Sequence, residues 1–565
     1  MYKKNLLCFL ILLQCNPLLS SAIPTASCVE PSSTTPFFSS KLTTSTYFGQ
    51  DLDILNIQPF NPYSLFQYIF DFGIKSLNKN LRKEAKQSFS FVANARMKGI
   101  FGTIGSGLVP IQQTKKFEIW MKELFLQYMP TENKNNFIKG GLFPFMVGNG
   151  FVLGNAYDIN IPISWQYCYE QINQFRPGLQ LQLGNKKNSI SASAYVGFIL
   201  VQNIISAPST FSASELLAAE ALLHVNSPSL IGGSHNVVTS LQMNFGPFEP
   251  YHLKISPYIC LHSTDQYIEF PDDATSKLYT PGAVFLYENN KWRINFEVAK
   301  NFGHQHVKAL DRYVIGTTTH SFKNALNRFR NSYTNSYAGF LVYFNTVWTK
   351  KQWRWATAAA YASGENSPND SPITLFLTKL TPGVRYKDYN KTYKGFLGTN
   401  QFSEANSINA SYFGPGSYRY SNFALLGSTL AYTIKKEQDT FINHVTWASY
   451  FKPNGIILDI TDQTGVALNT PLPHYLGTEF NGSTSYSLGN DFKISLLGGF
   501  FFPGKNYNEL KKQISFAELQ IEKSINPAVT SIPTLSPTKV AFFTSFSLVW
   551  TFDSLNIKEF FDRNR

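Results

Sequence analysis

Charge is scarce in this chain. Only 15% of its 565 residues are charged, where a soluble globular protein carries about a quarter. That deficit argues against the water-facing, multidomain enzyme that such a length would otherwise suggest. Cysteine is scarce too. Of five cysteines, Cys8 and Cys15 fall in the leader described below, leaving Cys28, Cys168 and Cys260. These are too widely spaced for a disulfide framework or a metal-ligand set. Long apolar runs are missing beyond the leader: none reaches the roughly 18 residues that a spanning helix needs, which excludes a helical membrane bundle.

Aromatic residues are abundant instead, with 49 Phe and 30 Tyr making most of a 15% aromatic content. Mean hydropathy is near zero, at −0.15. Aromatic excess with charge deficit is the balance of a transmembrane β-barrel, whose outward strand positions are apolar and whose interfaces carry aromatic girdles. At the N-terminus, Lys3 and Lys4 precede the apolar run Leu6 to Leu13, and Ser20-Ser21-Ala22 supplies small residues for cleavage. Residues 1–22 therefore read as a secretory signal peptide. Leu12-Leu13-Gln14-Cys15 is a poor lipoprotein box because Gln precedes the cysteine. Removing the leader takes away two lysines and no acid, so the net charge falls from +13 to +11 (13 − 2). A basic balance suits an anion-attracting lumen, loops that meet lipopolysaccharide phosphates, or merely a Lys- and Asn-rich genome.

Strand periodicity dominates from Ser88 onward. Near the C-terminus, Val540, Phe542, Phe546, Leu548, Trp550 and Phe552 alternate with Ala541, Ser545, Ser547 and Thr551. In a strand this gives a ribbon about 43 Å long with one apolar face. Six hairpins are predicted from similar alternation. Their turns centre on Lys187, Pro247, Asn290, Lys351, Lys436 and Asn490. The connections between them (202–235, 303–336, 363–421, 452–477 and 503–538) are long. Short periplasmic turns and long external loops are the habit of outer-membrane barrels, so those six turns are assigned to the periplasm. The segments around Ser214, His320, Tyr393 and Asn469 are assigned outside.

Four further strands are expected at Ser88–Gly99, Lys115–Met129, Asn136–Met146 and Tyr157–Cys168. Lys115–Met129 fits helical spacing nearly as well as alternation. A capped loop helix is expected over Ser212–Leu223, with Glu215 completing a capping box. The run Ile514–Ile521 is placed within a loop, and residues 23–87 are read as irregular, either a periplasmic lead-in or a lumen plug. The fold expected is an all-β, antiparallel, up-and-down transmembrane barrel of 16–18 strands, with 18 preferred. It would span 88–552 and leave 553–565 as a periplasmic tail.

The most distinctive text is Lys139-Gly140-Gly141-Leu142-Phe143-Pro144-Phe145-Met146-Val147-Gly148-Asn149-Gly150-Phe151-Val152-Leu153-Gly154. It resembles the strand-to-loop passage of large outer-membrane porin-like barrels, including the alginate-export type. The resemblance implies an 18-stranded monomer that carries a solute or an anionic polysaccharide. Its Gly148-x-Gly150-x-x-x-Gly154 spacing is wrong for a dinucleotide site and fits a tight turn at a barrel rim.

No sequence feature calls for catalysis or a cofactor. His304-Gln305-His306 offers two imidazoles without a third ligand, so no metal site is expected. The pairs His262-Ser263 and His320-Ser321 put His and Ser on opposite strand faces, which argues against a lipase. The pore-lining candidates are Lys254, Arg293, Arg354 and Lys493, with Glu297 as counter-charge; Arg354 sits between Trp353 and Trp355. Lys308, Arg312, Lys323, Arg328 and Arg330 make the loop 303–336 basic, fit to funnel anions or hold lipopolysaccharide phosphates. Trp550 and Phe552 resemble the C-terminal signal read by the barrel-assembly machinery, although a tail follows them. These features point to a non-enzymatic, exported channel in the outer membrane of a Gram-negative-type bacterium, passing small solutes, with exporter and plugged barrel as alternatives. Its expected partners are the bilayer, lipopolysaccharide and the assembly machinery, and no nucleic acid.

Overall fold

The computed structural model describes residues 33–50, 63–79, 88–103, 116–131, 133, 135–154, 176–185, 189–198, 236–264, 274–307, 310–311, 329–330, 333–364, 423–453, 473–489, 491–505, 509 and 540–553. The first seven barrel strands are β1 (Ser33–Gln50), β2 (Tyr63–Lys79), β3 (Ser88–Thr103), β4 (Lys116–Met129), β5 (Phe137–Phe143), β6 (Arg176–Asn185) and β7 (Ile190–Phe198). Next come β8 (Asn236–Phe248), β9 (Leu253–Thr264) and β10 (Ala274–Glu288). β11 runs through Trp292–Lys300 and on through Phe302–Val307, and β12 joins Tyr333–Ser336 to Phe340–Lys350. The last six are β13 (Trp353–Ala362), β14 (Phe423–Lys436), β15 (Asp439–Phe451), β16 (Tyr475–Leu488), β17 (Phe492–Pro503) and β18 (Ala541–Asp553).

Each strand pairs antiparallel with its sequence neighbour, and β18 pairs with β1 (Trp550 opposite Leu42), which closes an 18-stranded up-and-down barrel. Closure satisfies every edge, a necessity in hydrocarbon. The strands of all six expected hairpins pair, and their turn-side ends share one rim with the start of β1 and the end of β18; residues 186–188 and 490, at two of the turns, lie outside the described residues.

One expectation is overturned. Within the span 23–87, expected to be an irregular lead-in or plug, residues 33–50 and 63–79 form β1 and β2 and complete the wall. The barrel therefore starts at Ser33, not Ser88, and the partner of the closing strand is β1. Ser, Thr and Pro dominate the start of β1, so no apolar alternation marks it, yet β-branched Thr suits a strand. The expected strand 157–168, the helix 212–223 and the run 514–521 lie outside the described residues.

The wall is apolar outside and polar inside. Phe542, Phe546 and Trp550 face outward and are exposed, as are Leu179, Leu181 and Leu183, Trp353 and Trp355, Leu426 and Leu430, and Leu496 and Phe500. Between such positions lie buried Gln180, Ser256, Asn295, Asn345, Thr429, Thr446, Asn481 and Ser485. A water-soluble sandwich would place these two sets the other way round. Aromatic rings edge the apolar band at both ends. Near the short turns, Trp292 meets Trp348 and Trp353 meets Tyr432; near the long connections, Phe340 stacks on Tyr361. Such girdles are what an interface selects.

Val445, 63% exposed at the middle of β15, tests the outward band. Val445→Arg is expected to destabilise the folded barrel by about 2–4 kcal/mol in lipid vesicles. Urea titration read by heat-modifiable gel migration checks this, and an unchanged midpoint would contradict the band's placement.

Candidate functional site in the lumen

Two polar constellations occupy the inward face. The first sits on β2–β4. Asp71 lies opposite Arg96 in register, accepts from its Nε at 2.5 Å and Nη2 at 2.6 Å, and also accepts from Lys122 Nζ at 2.6 Å. Asn94 donates to Glu123 at 3.1 Å. Adjacent Lys122 and Glu123 are both buried inward, which strict alternation forbids. A β-bulge permits it: Asn94 pairs with Glu123 and Ala95 with Met121, leaving Lys122 as the extra residue.

The second constellation is built by the connection after β5. Rather than closing at the rim, residues 144–154 turn into the barrel, where Met146–Val147 pairs with Leu153–Gly154 as a small ribbon. Phe145 stacks on Tyr195 of β7 at 4.0 Å between centroids, and Phe151 meets Tyr343 of β12 at 4.7 Å. At the tip, Gly148 N–H donates to Gln242 at 3.0 Å and Asn149 N–H to Glu297 Oε2 at 3.0 Å. The Asn149 and Asn295 amides exchange bonds of 3.0 and 2.8 Å. Tyr258 donates to Glu297 Oε1 at 2.6 Å.

The segment cuts across the lumen. Phe143 to Phe151 spans at most about 28 Å when extended. The arc from β5 to β12 covers seven strand spacings, about 34 Å along the wall. Glycine is required at the tip, because Gly148 has φ +58° and an added Cβ would lie 2.6 Å from Glu297 Oε1. The expected rim turn is therefore a turn in the lumen, held by a buried carboxylate.

The sequence candidates divide accordingly. Arg293, Arg354, Lys254 and Lys493 all occupy inward positions near the short-turn rim, each within two residues of its strand's turn-side end. Trp353 and Trp355 face out, as Arg354's inward orientation requires. Glu297 is fully buried, so it is an anchor for the turn and does not stand in the pore as a counter-charge. His306 Nδ1 contacts Thr334 Oγ1 at 3.0 Å, and among the described residues no three His, Cys, Asp or Glu groups converge on a metal-sized site. Trp550 is exposed on the outward face, whereas the side chain of Phe552 lies outside the described residues.

Sequence reasoning missed Asp71, Gln242, Tyr258, Asn149 and Asn295. The glycine pair at 148 and 150 was the available signal, but it marked a turn and not where that turn would dock. On the opposite wall, Glu479 is buried, accepting from Tyr450 at 3.0 Å and from Asn481. Just past β15, burial pulls the Lys452 ammonium down to about 7. The inward face of β12–β17 also carries an apolar patch, with Leu341, Ala358, Ala362, Leu425 and Phe501 fully or nearly fully buried.

No family model and no curated protein matches this chain. Among solved structures it is similar to OccK5 (OpdH) and OpdQ of Pseudomonas aeruginosa, at 9% and 7% identity and TM-scores of 0.41 and 0.42. It is also similar to OccAB2 of Acinetobacter baumannii, at 9% identity and a TM-score of 0.41. Each alignment covers 92% of this chain and 98% of the other. Likeness at this level shows nothing of activity and does not support the alginate-export type.

Proposed function

We propose that this chain is an outer-membrane channel that passes small solutes through a lumen narrowed by the turn at 144–154. The observation that carries the proposal is the inverted partition of the closed barrel, with exposed Leu, Phe and Trp outside and buried Asn, Ser, Thr and charged groups inside. Only a molecule with hydrocarbon around it and water within it gains from that arrangement. The short turns and both ends of the barrel would face the periplasm, after export by a leader over residues 1–22. The closing strand, with Trp550 and Phe552, would present the signal for barrel assembly.

Lys254, Arg293, Arg354 and Lys493 give the periplasmic mouth a positive lining, which favours anions. A longer anionic polymer is the extended form of the same preference. The apolar inward patch favours a second reading, a barrel that does not conduct. Purified protein in planar bilayers separates these. The expected result is discrete ohmic conductance with anion selectivity, reduced several-fold in Arg293→Glu/Arg354→Glu. Absence of conductance from protein that remains heat-modifiable would sink the channel and leave the closed barrel.

A further inference from the structure

The outward face of β10–β12 changes character just beyond the apolar band. Tyr279, Phe302 and Phe340 are the last exposed rings on the side of the long connections. Past them, Lys277 lies directly opposite His304, which lies opposite Ser336; Thr275 lies opposite His306, which lies opposite Thr334. Directly paired side chains on one face stand about 5 Å apart. All six are exposed, as is Lys300, whose Nζ sits 4.8 Å over the Phe302 ring. No carboxylate shares the outward face of these three strands among the described residues. Among the other described side chains, one further exposed cation lies at the long-connection end of the strands, Lys505, two residues beyond β17.

We propose that this patch binds the phosphorylated headgroup of a lipid in the leaflet that meets the long connections. The ammonium groups of Lys277 and Lys300 supply charge-assisted donors to phosphate oxygens. The imidazoles and the hydroxyls of Thr275, Thr334 and Ser336 supply further hydrogen bonds. The rings below hold the first carbons of the acyl chains. The lipid is favoured over a free anion because the cations are continuous with the apolar band: its chains lie along Tyr279, Phe302 and Phe340 while its phosphate reaches the lysines. A free phosphate gains nothing from those rings. The proposal rests on the reading that the apolar band lies in a membrane.

The test uses full-length protein refolded in detergent, with bisphosphorylated lipid A and its dephosphorylated form as probes and retained lipid counted by native mass spectrometry. Wild type is expected to bind the phosphorylated form at least 10-fold more tightly. Lys277→Gln/Lys300→Gln should lose that preference, Lys277→Arg/Lys300→Arg should keep it, and Lys350→Gln at the opposite girdle should leave it unchanged. Heat-modifiable migration of each variant reads the barrel independently, so loss of the barrel and loss of the site are distinguishable. If the double glutamine variant does not fold, each single variant reads part of the same difference. Equal retention of the two lipid forms, unchanged preference in the glutamine variants, or displacement by millimolar inorganic phosphate would overturn the proposal, the last by identifying a free-anion site.

Discussion

Glu297→Ala is expected to turn a steady channel into a flickering one with a higher upper conductance level. Glu297 is the acceptor that holds the tip of the lumen turn, taking the Asn149 N–H at 3.0 Å. It is itself held by the Tyr258 hydroxyl at 2.6 Å. A hydrogen bond to a charged acceptor contributes about 1.5–3 kcal/mol. Loss of about 2 kcal/mol from docking raises the undocked population roughly 30-fold, since 1.4 kcal/mol is a factor of ten. Phe145 on Tyr195 and Phe151 on Tyr343 remain, so the turn detaches at its tip before it leaves the wall. Glu297→Gln keeps an acceptor of the same shape and should give a smaller effect. Gly148→Val attacks the same contact from the other side, through its positive φ and the space that Glu297 already fills. Single-channel recordings of the three variants check the point. Traces matching wild type in level and noise for both Glu297→Ala and Gly148→Val would rule out the turn as the constriction.

Much of the wall was legible because period-two alternation is a local signal. Leu179-Gln180-Leu181-Gln182-Leu183 shows inside and outside by itself, and a short polar turn then fixes the register with the next strand. Legibility failed where something local disguised the alternation. In β4 the outward residues are Ile119, Met121, Leu124 and Leu126, and the bulge at Lys122 stretches one interval to three, so the run imitates helical spacing. β1 hid for a different reason, since hydroxyl-rich text such as Thr43-Thr44-Ser45-Thr46 has no apolar face to display. The site was less legible than the wall. Lys254, Arg293, Arg354 and Lys493 could be placed inward from parity alone. Glu297 was placed inward for the same reason, yet parity says nothing of a turn 148 residues away in sequence that docks on it.

The other large effect expected is on stability, from Asp71→Ala. One carboxylate sits between two buried cations, at 2.5 Å from Arg96 and 2.6 Å from Lys122. Removing it takes away the carboxylate that the Arg96 guanidinium and the Lys122 ammonium share in a half-dry wall. Breaking a buried ion pair at one partner costs about 3–5 kcal/mol, so the urea midpoint of the refolded barrel should fall clearly. The loss should come from the missing shared carboxylate and not from the volume of the side chain. Asp71→Leu/Arg96→Met/Lys122→Met replaces the whole cluster with apolar groups of similar size, and such replacements are often neutral. The triple variant is expected to recover most of the stability, whereas Asp71→Leu alone should not. If the triple variant were as unstable as Asp71→Ala, the fault would lie in the packing of the bulge. If Asp71→Ala matched wild type, the cluster would be solvated by lumen water and would contribute nothing to holding β2, β3 and β4 together.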